Sequence, residues 1–455
     1  MTLAPPADPF DPMLGRPPSR SKRLVIVVRA DPVICGHSGE ARNLAEVART
    51  RGYDDVRIVT WPIDALEASG LPLKPLDRVL PYSPGIEVER PAPVGDYKVP
   101  DGRHAAGIVG RLVELFTDGV PTVVLSLYLM PHAMLVQEAL RVAHATGLPV
   151  DVETMAEAVG SDITNVVRSC LDSERFGAAA HVIATFLAHD HCLAVSAYTK
   201  ELIVDAARAV DAVSGTSFAE RCERQVRISY PAIDARAFTD LSADHAGRAE
   251  RSPVVRRAVA ARGLETGRYV LFLSRLTDAK GVHDLIDAYA ASAIAETHRL
   301  VVAGTGPKAD ELRARAAATA VADRIDFFDD VGDEEKRSLM AGSGAYVLAS
   351  KPRPEFVETF GIALVEKMLA GGGPVITTPT GGIPEAVGDT ALVVPPADPV
   401  ALTRALDRVA EMDEDELAER ELAARAYALQ FDRGQVFDAL FATVGAPTSA
   451  LADVG

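Results

Sequence analysis

The sequence predicts an α/β protein made of two doubly wound parallel-sheet domains in tandem, facing across a cleft. Three observations carry this. Short β-branched runs alternate with helical stretches, the pattern of a parallel sheet covered on both faces. The alternation breaks once, at a polar, charged segment spanning 240–263, and then starts afresh. A length of 455 residues is enough for two or three ordinary cores.

Taken in order, residues 1–20 are proline-rich and lack the apolar core of a signal peptide, so they read as a flexible tail. RLVIVV (23–28) is a buried strand. A loop containing CGHSGEARN follows, then a helix over NLAEVARTRG ending at Gly52, then the strand VRIVT. PTVVLSL (121–127) and HCLAVS (191–196) are later strands of a first domain assigned to 21–245. The arginines of the segment before Gly263 read as a solvated linker or helix face. The second domain, 246–428, runs through RYVLFLSRL, HRLVVAGTGP, RIDFFDDV, GAYVLAS, PVITTP and ALVVPP. Ligands of such sheets sit beyond the carboxyl ends of the strands, and two facing domains offer a cleft between them.

Composition narrows the class. With 47 basic against 64 acidic residues, the formal charge of −17 argues against nucleic acid as a partner and against attachment to anionic lipid. Cys35, Cys170, Cys192 and Cys222 have no metal-ligand spacing and read as reduced thiols. The longest uncharged apolar run, VPTVVLSLYLMPHAMLV, contains a proline and falls short of a spanning helix. A cytoplasmic protein without stable membrane insertion is expected.

The chemistry concentrates in ETFGIALVEKMLAGGGPVITTP. GIALVEKMLAG has helical spacing and closes at glycines. Its amino end, at Phe360 and Gly361, presents free N–H groups and the positive end of the helix dipole, and Gly361 lets a phosphate come close. Glu358 lies just before that end and Glu366 on the helix, about 9 Å of rise beyond Phe360. Carboxylates bind hydroxyls, so two of them flanking an anion site suit sugar rings on either side of a diphosphate. On the loop after RYVLFLSRL, Arg275 offers a planar fork and Lys280 a mobile charge that together would clamp such a diphosphate. FDDVGDEE reads as an acidic loop and helix start, not a metal site. Gly304 and Gly306 form a strand-end turn.

The whole string, with its E-x7-E pair and the following GGIPE, resembles the retaining glycosyltransferases of family 4, which have the GT-B fold of two Rossmann-like domains. SRLTDAKG is similar to that family's Arg/Lys segment, with Ser274 in place of a glycine, and Lys367 replaces a common alanine, a tolerable change. The resemblance implies a metal-independent enzyme with no cofactor. It would move a sugar from a UDP- or GDP-linked donor to a small-molecule acceptor, with the leaving diphosphate as base. Arg275, Lys280 and Glu358 would be catalytic. Glu366, Thr359, Phe360, Gly361, Ile362, Gly39 and Val331 would bind the donor, and Gly36, His132 and Val159 would lie toward the acceptor. Residues 429–447 would form a helix crossing back to the first domain, with 448–455 as a tail and a homodimer admitted. LYLMPHAMLV and AEAVGSDIT resemble the corresponding region of enzymes that make precursors of small thiols, yet Val159 stands where the family carries a histidine. YPAID lacks the usual Asn-Gly. These departures leave two alternatives: a catalytically silent nucleotide-sugar binding protein, or a related enzyme such as a disaccharide phosphate synthase or an epimerase.

Overall fold

The structure, a computed structural model, describes residues 22–95, 98–240, 252–354 and 356–444. The tails expected at 1–20 and 448–455, and the middle of the charged linker, lie outside those residues.

The first sheet comprises β1 (Lys22–Val27), β2 (Tyr53–Val59), β3 (Ile86–Glu89), β4 (Thr122–Leu127), β5 (Val152–Ala158), β6 (His191–Ala194) and β7 (Val226–Ile228). All neighbours are parallel, in the order β3-β2-β1-β4-β5-β6-β7. The second comprises β8 (Tyr269–Leu273), β9 (Arg299–Ala303), β10 (Ile325–Phe328), β11 (Ala345–Leu348), β12 (Val375–Thr377) and β13 (Leu392–Val393). It too is parallel, in the order β10-β9-β8-β11-β12-β13. Both are doubly wound Rossmann-like sheets, and each reverses its winding once, between β1 and β4 and between β8 and β11. Crevices open at those switch points.

Burial explains the uninterrupted apolar strands. Leu24 and Ile26 pack with Leu44 and Ala48 on one face of β1, while Val25 and Val27 pack with Leu112, Leu135 and Val136 on the other. No face is left for polar residues. The elements that sequence reasoning missed break this pattern. β5 carries Glu153, Thr154 and Glu157, whose neighbours supply partners for the first two: His191 Nε2 lies 2.6 Å from Glu153, and Thr154 Oγ1 donates to Asp190 at 2.8 Å. β3 is a short, half-exposed edge strand and β7 has three residues. CGHSGEARN is not a loop: the helix Gly36–Thr50 takes in all of it after Cys35.

The chain crosses between the units twice, and the crossings are bonded to each other. Ile233 N donates to Phe431 O at 3.0 Å, and Arg433 N donates to Ile233 O at 2.7 Å. Ile233, Ala235 and Phe238, which a division at 245 places in the first unit, pack in the second core. The final helix, Arg433–Phe441, puts Val436, Phe437 and Leu440 into the first core beside Tyr53. Among the described residues no helix is long and apolar enough to cross a membrane.

Candidate active site

At the switch point of the second sheet, the loop after β8 carries Arg275 and Lys280, and the loop after β11 carries Glu358. Gly281 (φ +72°) joins them closely: a Cβ there would sit 1.9 Å from Ala349 O. Lys280 Nζ is ion-paired with Glu358, whose side chain is 14% exposed. The same ammonium lies 4.7 Å from the centre of the Phe356 ring, with the Arg275 guanidinium 5.9 Å from that ring. Arg275 is exposed, and among the described residues no carboxylate pairs with it. Glu366 accepts from Lys336 Nζ at 2.7 Å. Gly361 adopts φ +102°, a left-handed conformation that glycine takes without strain, and the helix Ile362–Ala370 starts there without a side-chain cap. Two lysine-held carboxylates thus flank an uncapped helix amino end.

The first unit closes against this loop. A Cβ on Gly36 would meet Ile362 Cδ1 at 2.9 Å, so the amino ends of helices Gly36–Thr50 and Ile362–Ala370 approach one another. Thr359 Oγ1 donates to Val159 O at 3.1 Å. Gly160 (φ +98°) packs so tightly that a Cβ would sit 2.0 Å from Thr359 Cγ2. Glu385 accepts from Ala197 N at 2.7 Å, Tyr198 N at 3.1 Å and Tyr230 Oη at 3.2 Å. A carboxylate of the second unit therefore caps the helix Ala197–Ser214 of the first.

Around the first switch point stand Arg29, His37, Tyr128 and His132. The Arg29 guanidinium lies 5.0 Å from the Tyr128 ring centre, and Tyr128 has φ +124°. His132 is 1% exposed, packs edge-on to Trp61 at 4.7 Å and to Tyr128 at 5.7 Å, and leaves both ring nitrogens without a partner. Burial, with Arg29 and His37 nearby, keeps it neutral, its pKa well below the ordinary histidine value. Burial and Arg29 likewise lower His37 to about 4. Asp162 accepts N–H bonds from Leu129, Val159, Gly160 and Ile163, tying β4 to β5. Burial outweighs those four bonds and raises its pKa to about 6.

The structure brings together Lys280 with Glu358, Thr359 with Val159, and Gly36 with Ile362. Other expected positions fall differently. The Phe360 ring is 2% exposed and packs between Tyr230 and Phe431, at 5.5 and 5.1 Å, so only its backbone can face a ligand. Gly39 has nothing within 4 Å of a Cβ position. Val331 lies half-buried ahead of the helix Asp333–Gly342, which carries Lys336. Lys367 is fully buried, with Nζ donating to Met340 O at 2.9 Å and Gly371 O at 2.5 Å. Four of the five FDDVGDEE acids are taken by cations: Asp329 by Arg313, Asp330 and Glu335 by Arg262, and Asp333 by Lys74, with Glu334 exposed. Gly304 and Gly306 fit under Ser274 O and Leu276 O. Sequence reasoning missed Lys336, Gly160 and the bridging role of Glu385, of which only Glu385 had a signal, in GGIPE.

Residues 257–427 match the protein family described as Glycosyl transferases group 1. The D-rhamnosyltransferase WbpZ of Pseudomonas aeruginosa is 35% identical over 142 residues, 30% of this chain and 35% of that protein. The D-inositol 3-phosphate glycosyltransferase of Streptomyces griseus is 34% identical over 149 residues, 32% of this chain and 29% of that protein. These matches span about a third of the relatives' own lengths. Among solved structures, Anabaena Alr3699/HepE in complex with UDP superposes with a TM-score of 0.64 at 18% identity, covering 94% of this chain and all of that one. At that identity the likeness is one of fold.

Proposed function

We propose that this chain is a retaining, metal-independent glycosyltransferase of family 4 that transfers a sugar from a UDP- or GDP-linked donor to a small-molecule acceptor. One observation carries the reading. Glu358 and Glu366, each held by a lysine, flank the uncapped amino end of Ile362–Ala370 at a switch point. In this reading the second unit holds the donor, with its diphosphate against Arg275, Lys280 and the helix amides. Glu366 holds the ribose and Glu358 the transferred sugar. The first unit holds the acceptor, and the protein works in the cytoplasm.

Chemistry follows from charge. As the bond from the anomeric carbon to the diphosphate oxygen breaks, negative charge grows on that oxygen beside Arg275 and Lys280. The acceptor heteroatom bonds to the same face of the sugar, and its proton passes to the departing phosphate oxygen. Each charge-assisted hydrogen bond to the leaving group supplies about 1.5–3 kcal/mol. No separate protein base is required, which accommodates valine at position 159.

Incubation with UDP- and GDP-sugars, with NMR assignment of the product anomer and an EDTA control, tests the reading. Turnover with retention, unchanged by EDTA, is expected. Glu366→Ala should weaken nucleotide binding at least about tenfold, the worth of one charge-assisted bond; unchanged affinity would remove Glu366 from the site. A second reading, nucleotide-sugar binding without turnover, is favoured only by Val159, which is 3% exposed and offers its carbonyl to Thr359 instead of a titratable side chain. Binding with no donor hydrolysis would select it.

A further inference from the structure

We propose that Lys336 is a positioning residue: it fixes the Glu366 carboxylate with one oxygen left for the ligand, and so makes the nucleotide site select ribose over deoxyribose. The inference rests on the glycosyltransferase reading, in which Glu366 holds the ribose.

The pair is made by packing. Lys336 stands on the helix Asp333–Gly342, between β10 and β11, and Glu366 on the helix Ile362–Ala370, which packs against it. Lys336 Nζ donates to Glu366 Oε1 at 2.7 Å, and the two side chains are 24% and 15% exposed. Among the described residues neither group makes another ion pair, and Oε2 is left for a hydroxyl. The ammonium also lies 5.7 Å from the centre of the Phe238 ring, so an aromatic face backs it.

The helix that carries Lys336 is held at both ends. Its first residue, Asp333, is bonded by Lys74 of the first unit at 2.7 Å. Near its other end Leu339 O accepts from Tyr269 Oη at 2.6 Å, and Met340 O accepts from Lys367 Nζ at 2.9 Å. Lys367 follows Glu366, so consecutive residues of one helix both grip the other. The terminal torsion of a glutamate has no sharp preference of its own. A bond to a lysine on an anchored helix sets it.

Lys336 differs in this from Lys280, which lies on the loop beside Arg275 where a diphosphate would sit. Glu366 is five residues past Gly361, about 7.5 Å of rise along the helix. Its lysine therefore meets it more than one turn from the amino end, placed to keep the carboxylate when an anion arrives. A cation that stays also offsets repulsion between that carboxylate and the diphosphate. With Oε1 taken, a sugar lacking its hydroxyl leaves Oε2 facing the ligand unpaired, and sites built to bond a hydroxyl reject such analogues.

The test titrates the full chain by calorimetry with UDP, GDP and their 2′-deoxy and 3′-deoxy counterparts. Base and diphosphate stay constant, so the ratio of affinities reports the sugar alone. In the wild type at least one deoxy form should bind at least about tenfold more weakly than the ribonucleotide, the worth of one charge-assisted bond. Lys336→Met removes the charge and keeps most of the stem; it should bring the ratio within about threefold, as should Glu366→Ala. Lys336→Arg should regain at least part of the preference. Where a melting curve shows that Lys336→Met does not fold, Lys336→Gln is read in its place. Were Lys336 a general counter-charge or a phosphate ligand, its loss would weaken every nucleotide alike and leave the ratio unchanged. A preference that survives Lys336→Met but not Glu366→Ala, or one that arginine does not regain, overturns the inference and leaves Glu366 at the ribose. Equal binding of all sugars by the wild type, a preference that survives Glu366→Ala, or no nucleotide binding overturns both.

Discussion

Glu385→Ala should loosen the two units from one another, and the size of the effect can be worked from the helix it caps. The first turn of Ala197–Ser214 exposes three amides. Ser196 Oγ takes Thr199 N at 3.0 Å, leaving Ala197 N and Tyr198 N, and both go to Glu385. Hydrogen bonds to a charged group contribute about 1.5–3 kcal/mol. Glu385 is only half-buried, so the low end applies to each. Two amide bonds give a loss of about 3 kcal/mol, with the Tyr230 hydroxyl free to turn to water. Glu385→Gln keeps the shape but offers one acceptor oxygen, so about half that loss is expected. Urea unfolding of the wild type and both variants reads the values directly, and a cycle with Tyr230→Phe isolates the third bond. A loss under about 0.5 kcal/mol for Glu385→Ala would show that water replaces the carboxylate at no cost. The claim that this residue couples the units would then fail.

Other outcomes follow from the same contacts. Gly160→Ala combines φ +98° with a 2.0 Å clash on Thr359, so donor turnover should fall sharply, whereas Gly36→Ala meets only the tip of Ile362 at 2.9 Å and should remain folded and active; paired melting curves and donor hydrolysis separate the two. Lys367→Ala strips the bonds to Met340 O and Gly371 O and opens a cavity, costing about 2–4 kcal/mol in a urea titration. His37 titrates near 4 in the fold against about 6.5 unfolded, so its neutral form is favoured by folding: stability is present above 6.5 and is lost as pH falls from there toward 4. That gap is worth at most about 3 kcal/mol, and His37→Gln should flatten this part of the stability profile between pH 6.5 and 4.

The second unit was legible because its chemistry is local. Glu358, Gly361 and Glu366 sit within nine residues, and a strand, a turn and a Gly-closed helix place them without help from elsewhere. The tandem sheets were legible for the same reason, since strands buried on both faces show as unbroken apolar runs. β5 was not, because Glu153 and Thr154 interrupt its apolar run and find their partners on β6 and the turn before it. Lys367 read as a tolerable exchange on a helix face; only the packing of Asp333–Gly342 against Ile362–Ala370 reveals that its ammonium closes two carbonyls. Lys336 and Glu366 are thirty residues apart, and Arg29 and Tyr128 nearly a hundred, brought together by strand order alone.

The two halves also differ in how they manage charge, and this bears on how a ligand would enter. In the second unit the carboxylates are already neutralised: Lys280 holds Glu358 and Lys336 holds Glu366. On the glycosyltransferase reading, a diphosphate entering there would compete with Glu358 for Lys280, and exposed Arg275 would meet it first. That exchange would release Glu358 toward a hydroxyl of the sugar as the phosphate takes its lysine. In the first unit the acids near the switch point are held by an arginine and by backbone amides instead: Asp31 by Arg42, and Asp162 by four N–H groups. Thr359, bonded to Val159, joins the two units beside the ion pair of Lys280 and Glu358.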